Sequence, residues 1–139
     1  MSFGFSDLAW LPIGVSLVVG QIFMTLFFTV LFGKPWAVAY GPGKTPKEHT
    51  KEVPGYTYAI GAACTLAMTL CIAILQTALG VSGIGDALAL GVLLSVGLVA
   101  ASITPGYAFL RRWNAYVFVL ASQVALLLII SAVLGAWPR

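Results

Sequence analysis

Four long apolar runs separated by polar segments dominate the chain. They cover residues 8–32, 56–79, 87–109 and 115–137, and none contains Asp, Glu, Lys, Arg or His. About 20 apolar residues in a helix cross the hydrocarbon core of a bilayer. The runs are uniformly apolar rather than alternating, which favours helices over the strands of a membrane barrel. The pattern therefore predicts an all-α integral membrane protein, a four-helix transmembrane bundle forming a single domain over residues 1–139.

The connections between the runs differ in length. Residues 80–86 and 110–114 are short connections, which predicts that the helices they join are antiparallel up-down neighbours. The connection 33–55 is longer, polar and rich in proline, and it is the only sizeable soluble element expected. Asp7 and Asp86 precede the first and third runs and are expected to cap those helices. Pro105 is expected to kink the third helix near its end.

Composition agrees with a membrane protein. Hydrophobic residues make up 60% of the chain, charged residues 8%, and the mean hydropathy is +1.02. A water-soluble domain of 139 residues could not bury that much apolar surface, and a disordered chain would be more polar and more charged. The net charge of +3 comes from few, scattered residues, so it indicates membrane topology and no nucleic-acid partner.

The basic residues predict an orientation. Lys34, Lys44, Lys47 and Lys51 lie in 33–55, and Arg111 and Arg112 lie between the third and fourth runs. Cytoplasmic connections carry an excess of Lys and Arg, so both connections are predicted to be cytoplasmic and both termini to lie outside. Trp36 and Trp113 fall at the same ends, where aromatic rings meet the membrane interface. With Lys34, Arg111 and Arg112 they form a candidate contact for a lipid headgroup or an anion.

Residues that carry chemistry are scarce. The sequence has no phosphate-binding loop, no zinc-protease motif, no paired cysteine motif and no nucleophile elbow. No run contains an ionisable group of the kind that proton relays and membrane hydrolases use. His49 is the only histidine, and Cys64 and Cys71 are seven residues apart in one apolar run. We therefore expect no catalytic residue, no cofactor, no metal site and no enzymatic activity.

Uncharged polar residues do occur inside the runs. They are Gln21, Thr25, Thr65, Thr69, Gln76, Gln123 and Ser131. In lipid such side chains face other helices and form hydrogen bonds with them. Small residues also lie between helices, because they allow the backbones to approach closely. Gln21 and Gln123 are expected to bond each other or nearby hydroxyls such as Thr25, Thr65 and Ser131. On the third run, Gly91 with Ser95, Gly97 with Ala101, and Ser102 with Gly106 are small-residue pairs, and Gly97 with Ala101 is expected to pack against a neighbour.

Two blocks carry a family resemblance. Phe32-Gly-Lys-Pro-Trp, followed by Gly41, and the stretch from Phe109-Leu-Arg-Arg-Trp to Leu134-Gly-Ala-Trp resemble the ends of the first and last spans of the bacterial domain of unknown function 1761 family. The third run adds no motif of that family. The resemblance implies a small four-span protein of the bacterial inner membrane. It implies no reaction.

The functional hypothesis follows from these observations. We expect a small polytopic membrane protein that acts through helix–helix assembly, as a homo-oligomer or an accessory subunit of another membrane protein. The alternative is a passive channel or carrier for a small polar or neutral solute, along a path lined by Gln and Thr. A lipid- or quinone-handling enzyme is a third hypothesis, based on the cations and aromatic rings at the cytoplasmic ends. A continuous wet path would favour the channel, and a packed interior with an exposed small-residue face would favour assembly.

Overall fold

The fold is helical throughout the described part of the chain. The computed structural model describes residues 5–41, 43 and 45–137, and these form helices and turns with no strand. After a 3₁₀ turn at Phe5–Asp7, the helices are α1 (Trp10–Leu31), α2 (Gly33–Tyr40), α3 (Pro46–Glu52), α4 (Tyr56–Ala78), α5 (Ile84–Leu110) and α6 (Trp113–Ala136). Of these, α1, α4, α5 and α6 are long and apolar enough to cross a membrane. The prediction of an all-α protein with four candidate spans is confirmed.

The connection 33–55 contains two short helices. Gly33 resembles a helix stop in the sequence, but in the structure it begins α2. α3 starts at a capping box, in which the Glu48 backbone N–H donates to Thr45 Oγ1 (3.3 Å) and the Thr45 backbone N–H donates to Glu48 Oε2 (2.9 Å). The Thr-x-x-Glu spacing is a known signal for a helix start. Lys47 is exposed on this helix, and Lys44 lies outside the described residues.

The expected acidic caps are not formed. Asp7 belongs to the 3₁₀ turn, and the residue at the N-cap of α1 is Ala9. Asp86 lies inside the first turn of α5, whose N-cap is Gly83 with φ at 87°. Neither N-cap provides a side-chain hydrogen bond. Asp86 still lies where a negative charge interacts favourably with the helix dipole, so the sequence signal located the helix start to within a turn.

Two of the long helices contain π-helical segments. α1 ends in one at Phe27–Leu31, and α5 has one at Ser95–Ala100 between two α-helical parts. Helix carbonyls near these segments accept from side-chain hydroxyls: Thr29 Oγ1 donates to the carbonyl of Thr25 (2.6 Å) and Ser95 Oγ to that of Gly91 (2.7 Å). α5 continues through Pro105 to Leu110. The hydroxyls give backbone groups partners within the helix, which hydrocarbon requires.

The hydrophobic core lies where α1, α4 and α6 meet. α6 packs against α1, α4 and α5, and α1 also packs against α4. Ile72, Leu126 and Ile130 are almost completely inaccessible to solvent. α4 and α5 contact each other much less, although a short connection joins them. α6 is therefore the helix around which the others are arranged.

Small residues hold α5 against α6. A Cβ added at Gly135 would overlap the Cβ of Ala87, and one added at Gly91 would lie 2.8 Å from Ser131 Oγ. By contrast, a Cβ added at Gly97 would meet nothing within 4 Å, and Ala101 is exposed. Within the described residues, the neighbour expected to pack against Gly97 and Ala101 is therefore not found. The close contact is instead made by Ala87 and Gly91, near the start of the helix.

Candidate functional site

The polar residues of α1 and α4 meet at Gln21 and Thr65. Gln21 Nε2 donates a 2.8 Å hydrogen bond to Oγ1 of Thr65, which itself donates to the carbonyl of Gly61 (3.0 Å). Gly20 makes the approach possible, because a Cβ there would lie 3.2 Å from Thr65 Cγ2 and 3.0 Å from Leu126 Cδ1. Three helices therefore meet at one polar pair, as expected for hydrogen bonding between membrane helices.

The polar side of α4 continues toward its C-terminal end. Thr69 is fully buried and donates to the carbonyl of Thr65 (2.8 Å). Gln76 is also fully buried, and its Nε2 donates to the backbone carbonyl of Ser131 on α6 (3.1 Å). Thr65, Thr69 and Gln76 thus form a buried stripe, which we call the polar stripe, and their hydrogen bonds stay within the protein.

The other predicted polar residues do not join the polar stripe through side-chain hydrogen bonds. Thr25 is exposed, and its carbonyl accepts from Thr29. Gln123 is half-buried, and its amide makes no hydrogen bond with a described residue, so the expected link between Gln21 and Gln123 is not found. Ser131 takes part only through its carbonyl, because its buried Oγ has no partner among the described residues and lies next to Gly91.

Two buried serine hydroxyls in the described part of the chain were not expected from the sequence. Ser16 and Ser122 are fully buried on α1 and α6. Ser122 Oγ donates to the carbonyl of Val119 (2.8 Å), whereas Ser16 Oγ has no partner within the described residues. Ser16 precedes Gly20 by four residues and so shares its helix face, which is the signal that could have identified it.

Trp36 belongs to an aromatic cluster at one end of the long helices. Its ring centroid lies 4.9 Å from that of Phe28 and 6.3 Å from that of Phe118. Phe32 also contacts Phe118, at 5.8 Å. The cluster joins α1, α2 and the beginning of α6, and Lys34 next to it is exposed. The sequence predicts that Trp36 lies at the membrane interface, but it does not predict these ring contacts.

The second basic connection joins the end of α5 to the start of α6. Arg111, Arg112 and Trp113 are exposed, and Arg111 ends α5 in the left-handed conformation with φ at 53°. Tyr116 anchors the turn: its hydroxyl lies 2.7 Å from Thr104 Oγ1, and its ring lies 5.7 Å from that of Trp113. The cations are accessible to a headgroup or an anion, on a turn held by aromatic packing.

Two cavities lie at the helix ends. One of about 280 Å³ is lined by Asp7, Leu8, Ala9, Pro12, Ala73, Gln76, Thr77, Leu134 and Trp137. The other, of about 430 Å³, is lined by Ala37, Gly41, His49, Glu52, Val53, Pro54 and Thr57. We call the first the Asp7 cavity. Within the described residues no group of three or more His, Cys, Asp or Glu side chains could hold a metal ion, and Cys64 and Cys71 are free.

These features define a multi-pass membrane protein, with four apolar helices and polar side chains bonded to neighbouring helices. A family model described as "Protein of unknown function (DUF1761)" matches residues 11–135. The chain belongs to this family, so the family expected from the sequence is confirmed. No curated protein and no solved structure matches the chain significantly.

Proposed function

We propose that this protein acts through helix–helix assembly in the membrane, as a homo-oligomer or an accessory subunit, without a chemical step of its own. The family supplies no activity. The proposal therefore depends on which helix faces pack against other helices of the chain and which faces stay exposed.

The observation that carries the proposal is a second small-residue face on α5. Ala87, Gly91 and Ser95 recur every four residues, and all three are buried. Gly97 lies in the π-helical segment and Ala101 directly after it, and in contrast to those three residues both are exposed. Nothing lies within 4 Å of a Cβ added at Gly97. Small residues let membrane helices approach closely, so this face suits a helix from another subunit.

The packed interior supports assembly over the alternative of a solute path. Thr65 is 3% exposed, and Thr69 and Gln76 are completely buried. Their side chains donate to backbone carbonyls, and of the three only Gln76 also lines the Asp7 cavity at one end of the helices. A passive channel or carrier would need these groups to be wet. The polar stripe is better explained as the hydrogen bonding that holds α1, α4 and α6 together.

The proposed arrangement in the membrane is an antiparallel bundle with both termini outside the bacterial inner membrane. The ring contact between Phe32 and Phe118 brings the end of α1 to the start of α6. The contact between Gly135 and Ala87 brings the end of α6 to the start of α5. Both support alternating directions. The exposed Lys34, Arg111 and Arg112 support a cytoplasmic location for the ends that carry them.

A matched pair of α5 variants tests the assembly. Gly97→Leu fills the open face, whereas Val92→Leu enlarges an exposed residue of the same helix away from it. Native mass spectrometry in a mild uncharged detergent reports the number of subunits directly. We expect wild type and Val92→Leu to share one oligomeric state, or one partner stoichiometry, and Gly97→Leu to lose it. If Gly97→Leu matches wild type while Val92→Leu dissociates, the open face is wrongly assigned.

A further inference from the structure

The Asp7 cavity is formed by three helix ends. The 3₁₀ turn and start of α1 contribute Asp7 and Pro12, the end of α4 contributes Gln76 and Thr77, and Trp137 follows α6. Small side chains at Ala9 and Ala73 leave the space open. Its volume of about 280 Å³ lies just below the roughly 300–1,000 Å³ of pockets for drug-sized ligands, so it suits a smaller molecule.

The polar part of the cavity lining consists of Asp7, Gln76 and Thr77. Among the described residues that line it, Asp7 is the one with a charged side chain. Within the described residues the Asp7 carboxylate accepts a hydrogen bond from Ser6 Oγ (3.3 Å) and has no ion pair. The fully buried Gln76, which also lines the cavity, donates to the Ser131 carbonyl on α6. The described lining thus contains one carboxylate and no basic side chain.

The aromatic side chain of Trp137 also lines the cavity. A cation is attracted to the face of an indole ring, and quaternary ammonium ligands are commonly recognised in this way. A carboxylate together with an aromatic face selects an organic ammonium group over an anion. It also selects that group over a strongly hydrated metal ion, for which further oxygen ligands would be expected.

We propose that the Asp7 cavity binds a small organic ammonium group, with Asp7 pairing the charge and Trp137 contacting the alkyl substituents. An organic ammonium group has two sources at a membrane surface: the amine headgroup of a phospholipid and a free amine in solution. This site is independent of the assembly face on α5, because none of its lining residues belongs to that helix.

The test follows the ring of Trp137 directly. Purified full-length protein carrying 5-fluorotryptophan is titrated in an uncharged maltoside detergent with tetramethylammonium chloride or methylammonium chloride, and the fluorine resonance of Trp137 is recorded. Trp137→Phe identifies that resonance. Sodium chloride at the same concentration controls for ionic strength. We expect a saturable shift with the ammonium salts and none with sodium chloride.

The matched variants are Asp7→Asn and Asp86→Asn. Both replace an exposed carboxylate near a helix start, but Asp86 does not line the cavity. Asp7→Asn should weaken the apparent affinity at least about tenfold, and Asp86→Asn should leave it unchanged. Thermal unfolding of each variant shows that the fold is retained, as expected for exposed positions. No saturable shift in wild type, or equal loss in both variants, overturns the proposal.

A second arm separates the two sources. Native mass spectra are compared for protein released from nanodiscs with and without phosphatidylethanolamine. Retention of that lipid by wild type and its loss in Asp7→Asn identify the headgroup as the ligand, and methylammonium binding without lipid retention identifies a free amine.

Discussion

The amide of Gln21 donates a 2.8 Å hydrogen bond to the hydroxyl of Thr65, whose own proton is directed to the Gly61 carbonyl. The two partners therefore depend on the bond differently. Without Gln21, Thr65 still donates to its own helix. Without the Thr65 hydroxyl, the Gln21 amide loses its acceptor in a segment that is expected to lie in lipid.

This asymmetry predicts unequal losses of stability. Thr65→Val should lower the free energy of unfolding by about 1–1.5 kcal/mol, and Gln21→Leu by about 0.5 kcal/mol, in the range measured for hydrogen bonds between membrane helices. The double variant should lose less than the sum of the single variants. Reversible unfolding in detergent–lipid micelles measures all three. Additive losses would show that the two residues do not share a bond.

Gln123→Leu is the control for the double-mutant comparison of Gln21 and Thr65. The Gln123 amide makes no hydrogen bond with a described residue, so its removal costs no interhelical bond. We expect the free energy of unfolding to change by less than about 0.5 kcal/mol, the size typical of substitutions away from a buried feature. The same unfolding assay checks this. A loss as large as that of Thr65→Val would show that Gln123 belongs to the polar stripe after all.

Gly135 should tolerate no side chain. A methyl group there would overlap the Cβ of Ala87, and both belong to packed helices that cannot give way easily. Gly135→Ala is expected to destabilise the protein by about 1–3 kcal/mol through overpacking. Gly14→Ala is the matched control, because it lies in α1 with nothing within 4 Å of the new Cβ. Thermal unfolding should show a lower midpoint for the first variant and an unchanged or higher midpoint for the second.

The proposed orientation predicts which side of the membrane each connection faces. Lys47 on α3 and Ser82 between α4 and α5 are both exposed. In a background carrying Cys64→Ala and Cys71→Ala, an impermeant thiol reagent added to intact cells should label Ser82→Cys but not Lys47→Cys. Inside-out vesicles should give the opposite result. Labelling of position 47 in intact cells would show that the proposed orientation is reversed.

The helices could be predicted from the sequence because lipid imposes a simple rule on length and polarity. Runs without a charge became α1, α4, α5 and α6 with shifts of only a few residues at their ends. α3 was predictable too, from Thr45 and Glu48, but its signal was overlooked in a proline-rich connection. The π-helical segments at Phe27–Leu31 and Ser95–Ala100 have no comparable signal in the apolar runs.

The candidate site was only partly predictable, because a repeat of small residues does not show which helix it faces. Gly91 and Gly97 both begin pairs spaced by four residues on α5. In the structure a Cβ added at Gly91 would lie 2.8 Å from Ser131 Oγ, whereas one added at Gly97 would meet nothing within 4 Å. Likewise, the sequence identified Gln21 and Gln123 as polar but could not give the rotation of α6. That rotation is fixed by the contacts of Leu126 and Ile130 in the core.

Counting subunits in the membrane tests the proposed assembly most directly. The full chain carrying one fluorophore at its C-terminus is reconstituted into liposomes at low protein density, and photobleaching steps are counted for single spots. The assembly proposal predicts two or more steps for wild type, or steps in a constant ratio with a co-purified membrane partner. It also predicts one step for Gly97→Leu. Single steps for wild type at every density, with no co-purified partner, would contradict the account.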